Sequence, residues 1–226
     1  ANSGFIKISE LVGESYKEIQ ERSETGNAIT GVATGFTYFD KKTTGLQKGD
    51  LIIIAGRPSM GKTAFAMNIA EYASLKNKAV TAIFSMEMSG TQLSTRLISS
   101  MGRINQSNLK NGELNENDWP RITNAIALLS KANIFIDDTP ALTPTDIRAR
   151  ARRLKRDKGL DLIVIDYMQL MHLSASSENR ATELSEISRS LKALARELEV
   201  PVIALSQLNR SLENRTDKRP IMSDLR

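Results

Sequence analysis

The sequence predicts an α/β fold, a mostly parallel β-sheet flanked by helices and preceded by a separate N-terminal helix. Three observations carry this expectation. Five short β-branched runs, each apolar on both faces, recur after residue 50. Helix-like patterns separate them, and the first run leads directly into the glycine loop "GRPSMGKT". Runs apolar on both faces suit a sheet covered on both sides, and their alternation with helices makes that sheet parallel.

In chain order, residues 9–22, "SELVGESYKEIQER", place Val12, Tyr16 and Ile19 at i, i+4 and i+7, the spacing of one helix face. A helix this short is marginal alone, so its apolar stripe needs a surface, either its own domain or a neighbouring subunit. The next stretch, "SETGNAITGVATG", contains three glycines and few large side chains and reads as an extended connector. The strand candidates are "LIIIA" (51–55), "AVTAIFS" (79–85), "ANIFID" (132–137), "LIVID" (162–166) and "PVIALS" (201–206). The clearest helix spans 182–199, where Leu184, Ile187, Leu191, Leu194 and Leu198 recur every three or four residues. No internal repeat or low-complexity tract interrupts the pattern.

Composition narrows the function classes. With 226 residues and 40% apolar content, the chain can bury one substantial core. A formal net charge of +5 permits a nucleic-acid partner without requiring one. The absence of cysteine and the single histidine, His172, exclude disulfides and a Cys/His zinc site and fit a reducing compartment. No apolar run approaches the roughly 18 residues of a membrane span, and the first residues lack a signal-like apolar stretch. The expectation is a soluble, cytoplasmic protein with no membrane partner.

Ligands of parallel sheets sit at the carboxyl ends of the strands. The residues just past each run are Gly56 to Thr63, Glu87, Asp137 with Asp138, Asp166, and Gln207. "GRPSMGKT" fits G-x-x-x-x-G-K-[ST], with a strand before it and a helix after it. Gly56, Arg57, Pro58, Ser59, Met60, Gly61, Lys62 and Thr63, with Ala64 opening the helix, are therefore the expected cradle for the phosphates of a nucleotide. Lys62 should reach the outer phosphates, and Thr63 should offer its hydroxyl to Mg²⁺.

The cation needs an acidic second anchor. "NIFIDD" and "LIVIDY" compete for that role; Asp137 and Asp138 precede a turn-rich stretch that suits capping, and Asp166, which leaves the purer apolar run, is preferred. Hydrolysis also needs a group to orient or deprotonate water, and Glu87 in "IFSMEMS" is the candidate, weighed against a merely solvated glutamate. Gln207 is placed to feel the γ-phosphate. The run "RARARRLKRDK" (148–158) carries Ile147, Ala151 and Leu154 as an apolar stripe, so its arginines face outward. A solvated face is the default for such a run, with DNA or a neighbouring subunit as the alternative. Lacking interleaved aromatics, it would reach DNA through backbone charge, not base stacking. The methionines read as core fillers.

"AGRPSMGKT", "FSMEMS", "LTPTDIRARARR", "LIVIDYMQLM", "EISRSLKALARELEVPVIALSQLNRSLE" and "DKRPIMSDLR" together resemble the C-terminal motor domain of bacterial DnaB-type replicative helicases over residues 30–226. The resemblance implies a RecA-like domain, residues 26–226, that assembles into a homohexameric ring around single-stranded DNA and unwinds the fork with ATP and Mg²⁺. It implies Lys62 and Thr63 as phosphate-loop residues, Glu87 as the carboxylate that activates water, Asp166 over Asp138 as the Mg²⁺ partner, and Gln207 as γ-phosphate sensor. It places Arg226, in "MSDLR", against a DNA phosphate. Residues 1–25 resemble the linker helix that packs on the adjacent motor, and primase and a helicase loader are the implied partners. The family's DNA contact is in the central channel, away from the basic run. In the family the motor continues past "SDLR" to a Lys-x-Arg pair that reaches the neighbour's γ-phosphate, and a helical domain precedes the linker. The chain is thus expected to be a fragment that binds nucleotide and hydrolyses it poorly alone. Two alternatives stay open: a RecA-like recombinase that forms filaments, and a nucleotide-gated DNA-binding module without efficient turnover.

Overall fold

β-Branched side chains fit a pleated surface, and here they form one five-stranded sheet. The computed structural model describes residues 4–26, 29–57, 61–171, 180–208 and 219. The chain runs α1 (Ile8–Thr25), α2 (Thr37–Thr43), β1 (Leu51–Gly56), α3 (Lys62–Lys76), β2 (Thr81–Ser85), α4 (Gly90–Gly102), α5 (Gln106–Asn111) and α6 (Asp118–Lys131). It continues with β3 (Ile134–Asp137), α7 (Pro144–Lys158), β4 (Leu162–Asp166), a 3₁₀ turn (Met168–Leu170), α8 (Arg180–Leu198) and β5 (Val202–Gln207). Strand order is β1-β5-β4-β2-β3, with all pairs parallel. All five predicted strands are present, with starts up to two residues later than the apolar runs, and β4 coincides with its run.

The period-two alternation of β4 and β5 builds both cores. Ile163, Ile165, Val202 and Ala204 face Ile147, Ala151, Ile187 and Leu191 of α7 and α8. Leu162, Val164, Ile203 and Leu205 face Ala66, Met67, Ala70, Leu93 and Leu97 of α3 and α4. Alanines along α3 let that helix lie close to the sheet. The edge strand β3 departs from the expectation of two covered faces, since Phe135 is partly exposed where the sheet ends.

Local chemistry sets the helix starts. Thr143 and Asp146 form a reciprocal capping box at the start of α7, with Pro144 in the first turn, and Ser89 and Gln92 form one at α4. Upstream of β1, the buried Asp40 carboxylate accepts from the Thr34 amide at 3.0 Å, the Thr34 hydroxyl at 2.8 Å and the Gly35 amide at 3.1 Å. A buried charge is tolerated only when hydrogen-bonded in this way. α2 and α5 have no counterpart among the sequence expectations; both are too short to show a helical period.

Every residue of α1 is exposed, Val12, Tyr16 and Ile19 included, so the helix does not fold back on the described part of its own domain. On α7, Arg148 and Arg152 pair with Glu197 of α8, Arg150 pairs with Asp137, and Arg153 and Arg156 pair with Asp157. Each such surface pair is worth about 0–1 kcal/mol, but together they occupy the basic run within its own chain.

Leu191 is wholly buried at the centre of the α8 packing face. Leu191→Ala is expected to cost about 2–5 kcal/mol, read from a lower urea midpoint at unchanged slope.

Candidate active site

The parallel register brings the strand ends together. Gly56 pairs with Gln207, and Ser85 pairs with Asp166. β1 ends at Gly56, and Gly61, which precedes α3, has a φ of 80° that suits glycine and not a bulkier residue. α3 begins at once with Lys62, so the free amides and positive end of its first turn face the loop. Lys62 Nζ donates to the Gly56 carbonyl at 2.8 Å. Arg57 follows β1 and Ala64 lies in the first turn of α3; Pro58, Ser59 and Met60 lie outside the described residues.

Thr63 Oγ1 donates to Asp166 Oδ2 at 3.1 Å. Asp166 ends a fully buried strand and is only 2% exposed. Desolvation raises its pKa more than the Thr63 hydrogen bond lowers it; Glu87 adds repulsion, while Arg96 and Lys62 offset part of the rise. Burial likewise lowers the Lys62 pKa, against the opposing pull of Asp166 and Glu87. The competing acids are engaged elsewhere. Asp137 pairs with Arg150, and Asp138 Oδ2 accepts from the Gly90 amide at 2.8 Å at the start of α4.

Glu87 sits on a tight turn after β2. The Ser85 hydroxyl donates to the Met88 carbonyl at 2.7 Å, and the Met86 amide donates to the Asp166 carbonyl at 3.0 Å. The exposed Glu87 shares a cleft of about 530 Å³ with Lys62, Thr63, Asp166 and Gln207, as their places at the strand ends had suggested. A larger cleft of about 760 Å³ opens at the opposite, amino edge of the sheet and contains none of the predicted site residues.

Sequence reasoning missed three further groups. Gln92 and Arg96, four residues apart on α4, line the same cleft, and their i, i+4 spacing after the Glu87 turn is the signal that could have found them. The Arg96 Nε is buried with no hydrogen-bond partner among the described residues. Gln169, three residues past Asp166, bonds to the backbone of Gln207, and no periodicity marks it. Among the described residues no cluster of three His, Cys, Asp or Glu could hold a metal by itself. A hydroxyl and one carboxylate still fit Mg²⁺, which takes few protein oxygens and completes its shell with phosphate and water. Arg226 and His172 lie outside the described residues.

A parallel sheet with a glycine-lysine-threonine loop at one strand end and a carboxylate beside it defines a RecA-like phosphate-loop nucleotide-binding domain. Residues 31–226 match the DnaB-like helicase C terminal domain, and the chain belongs to that family. It is 54% identical to the replicative DNA helicase DnaB of Geobacillus stearothermophilus, across 100% of this chain and 50% of that protein. It is 51% identical to the replicative DNA helicase DnaC of Bacillus subtilis (strain 168), across 99% of this chain and 50% of that protein. The chain therefore spans about half the length of the curated relatives it matches. Among solved structures, one described as an ATPase domain superposes with a TM-score of 0.91 at 40% identity, covering 99% of this chain and 78% of that one. A DnaB-like replicative helicase, described with its interactions with primase, superposes at 0.86 and 41% identity, covering 100% of this chain and 53% of that one.

Because burial raises the Asp166 pKa, the folded state favours the protonated carboxyl. That contribution is full below the unfolded pKa and is lost as pH rises through the folded value. Asp166→Asn removes the desolvated charge and should stabilise the ligand-free protein by about 1 kcal/mol, the usual scale of relieving a functional site. That corresponds to a rise of about 2–4 °C in the calorimetric midpoint, and the gain should shrink as pH is lowered.

Proposed function

We propose that this chain is the ATP-hydrolysing motor of a replicative DNA helicase. The observation that carries the proposal is the convergence of Lys62, the Thr63–Asp166 contact, Glu87 and Gln207 on one cleft in a DnaB-like helicase domain. Backbone amides of the motif from Gly56 to Ala64 cradle the phosphates, Arg57, Pro58, Ser59 and Met60 being the variable positions between its glycines and Pro58 alone giving no N–H. Lys62 moves from the Gly56 carbonyl to the outer phosphates. Thr63 and Asp166 hold Mg²⁺, which supplies neutralisation of the charge that develops on the phosphates. Asp166 must be ionised to do so, so its raised pKa sets protons in competition with the cation. Glu87 orients the attacking water and takes its proton, and Gln207 contacts the γ-phosphate and senses its loss.

The motor occupies residues 26–226, and residues 1–25 form the linker helix and the start of the connector. The bare apolar stripe of α1 packs on the adjacent motor, and six protomers close a ring in the cytoplasm with nucleotide at each interface. Single-stranded DNA threads the centre, with Arg226 on a DNA phosphate, and the stroke unwinds duplex at the replication fork. A relative solved with its interactions with primase supports primase as a partner, and a loader places the ring. Membership of a helicase family favours this reading over a filament-forming recombinase or a nucleotide-gated module.

Unwinding of a forked duplex by the intact protein, with and without ATP, tests the function; unwinding that ignores ATP refutes it. Lys62→Ala should abolish ATP turnover. Glu87→Ala should still bind ATP while kcat falls by about 10²–10⁴ in steady-state assays, and wild-type turnover would remove Glu87 from the mechanism. Affinity for single-stranded DNA should fall linearly on a log–log plot against salt, with a slope of about −0.7 per phosphate contacted.

A further inference from the structure

The last residues of β5 are held from two sides by different means. Toward β1, the ladder runs to the Gly56–Gln207 pair, and the Leu208 amide donates to the Gly56 carbonyl at 3.1 Å. Toward β4, the ladder stops at Ile165–Ala204, because the main chain past Asp166 turns away into the 3₁₀ turn. Ser206 and Gln207 would be left without a neighbour on that side.

The Gln169 side chain takes its place. The Gln169 carbonyl oxygen accepts from the Gln207 amide at 3.1 Å. Its NH₂ donates to the Gln207 carbonyl at 3.0 Å and to the Ser206 hydroxyl at 2.7 Å. A primary amide presents a donor and an acceptor side by side, as one residue of a neighbouring strand does. Gln169 thus continues β4 with a side chain after the main chain has departed. Gln207 lines the nucleotide cleft; Gln169 lies behind it and does not.

We propose that Gln169 is a positioning residue for the hydrolysis cycle. It fixes the Gln207 backbone so that the Gln207 side-chain amide meets the γ-phosphate, and it ties that sensor to the segment that follows Asp166. The proposal rests on the sensor role given above to Gln207. Asp166 ends β4 and Gln169 follows it by three residues, in the 3₁₀ turn that begins at Met168, so a shift at the cation carboxylate is passed through one intervening residue to the start of the turn that carries the clamp.

The test is DNA-stimulated ATPase of the intact protein, with kcat and KM for ATP measured separately. Gln169→Leu should lower stimulated kcat roughly 10- to 100-fold, because two hydrogen bonds to one residue's backbone are lost, while KM changes by less than about threefold. Gln169→Glu keeps the acceptor for the Gln207 amide and loses the donor, so its kcat should fall between the two. Gln207→Ala should be slow as well, and the double variant Gln169→Leu with Gln207→Ala should be no slower than Gln207→Ala within about twofold, since the two act as one unit. A wild-type kcat in Gln169→Leu beside a slow Gln207→Ala overturns the clamp alone, as do losses that multiply in the double variant. A wild-type kcat in Gln207→Ala overturns the sensor role and the clamp with it. If the leucine variant does not fold, Gln169→Glu decides, and a wild-type rate there overturns the clamp.

Discussion

The constraint on which everything else depends is a carboxylate at the end of a strand with no access to water along its length. β4 is central, buried on both faces, and flanked by β2 and β5. Its apolar side chains fix register on both sides, and that register delivers Asp166 beside Thr63. Burial makes the charge costly, and the Thr63 hydroxyl offsets only part of that cost. The site therefore holds its acid against the preference of the fold, which is the usual condition of a functional carboxylate.

Much of this was legible in the sequence because the signals were local and periodic. β4 was bounded correctly because an apolar run ends in an acid, and the phosphate loop was visible because its spacing is set by backbone geometry. The choice between Asp166 and Asp138 is different in kind. Both sit at the ends of apolar runs, and the sequence preferred Asp166 only for its purer run and the turn-rich stretch after Asp138; the strand order, which brings β4 rather than β3 to the loop's helix, adds the geometric reason. Gln169 illustrates the limit most clearly. Its partner Gln207 lies 38 residues away in sequence, and nothing in an isolated "YMQLM" says that an amide will complete another strand's ladder.

The basic and apolar surfaces divide in an instructive way. The arginines of α7 carried the strongest charge signal, and Arg148, Arg150, Arg152, Arg153 and Arg156 are engaged by Glu197, Asp137 and Asp157. Of those carboxylates only Asp157 lies within the run; the others come from β3 and α8, so the run looked largely unneutralised when read alone. The stripe on α1 is the reverse case. Its amphipathic spacing was plain, yet among the described residues it covers nothing in its own chain.

The Gly56 carbonyl has a consequence of its own. It accepts from the Lys62 ammonium at 2.8 Å and from the Leu208 amide at 3.1 Å, so a single oxygen joins the phosphate-loop lysine to the end of β5. That oxygen belongs to the main chain. No codon change can delete it, and side-chain scanning at position 56 would pass over the junction; only replacing the peptide link itself, as in an ester, would expose it.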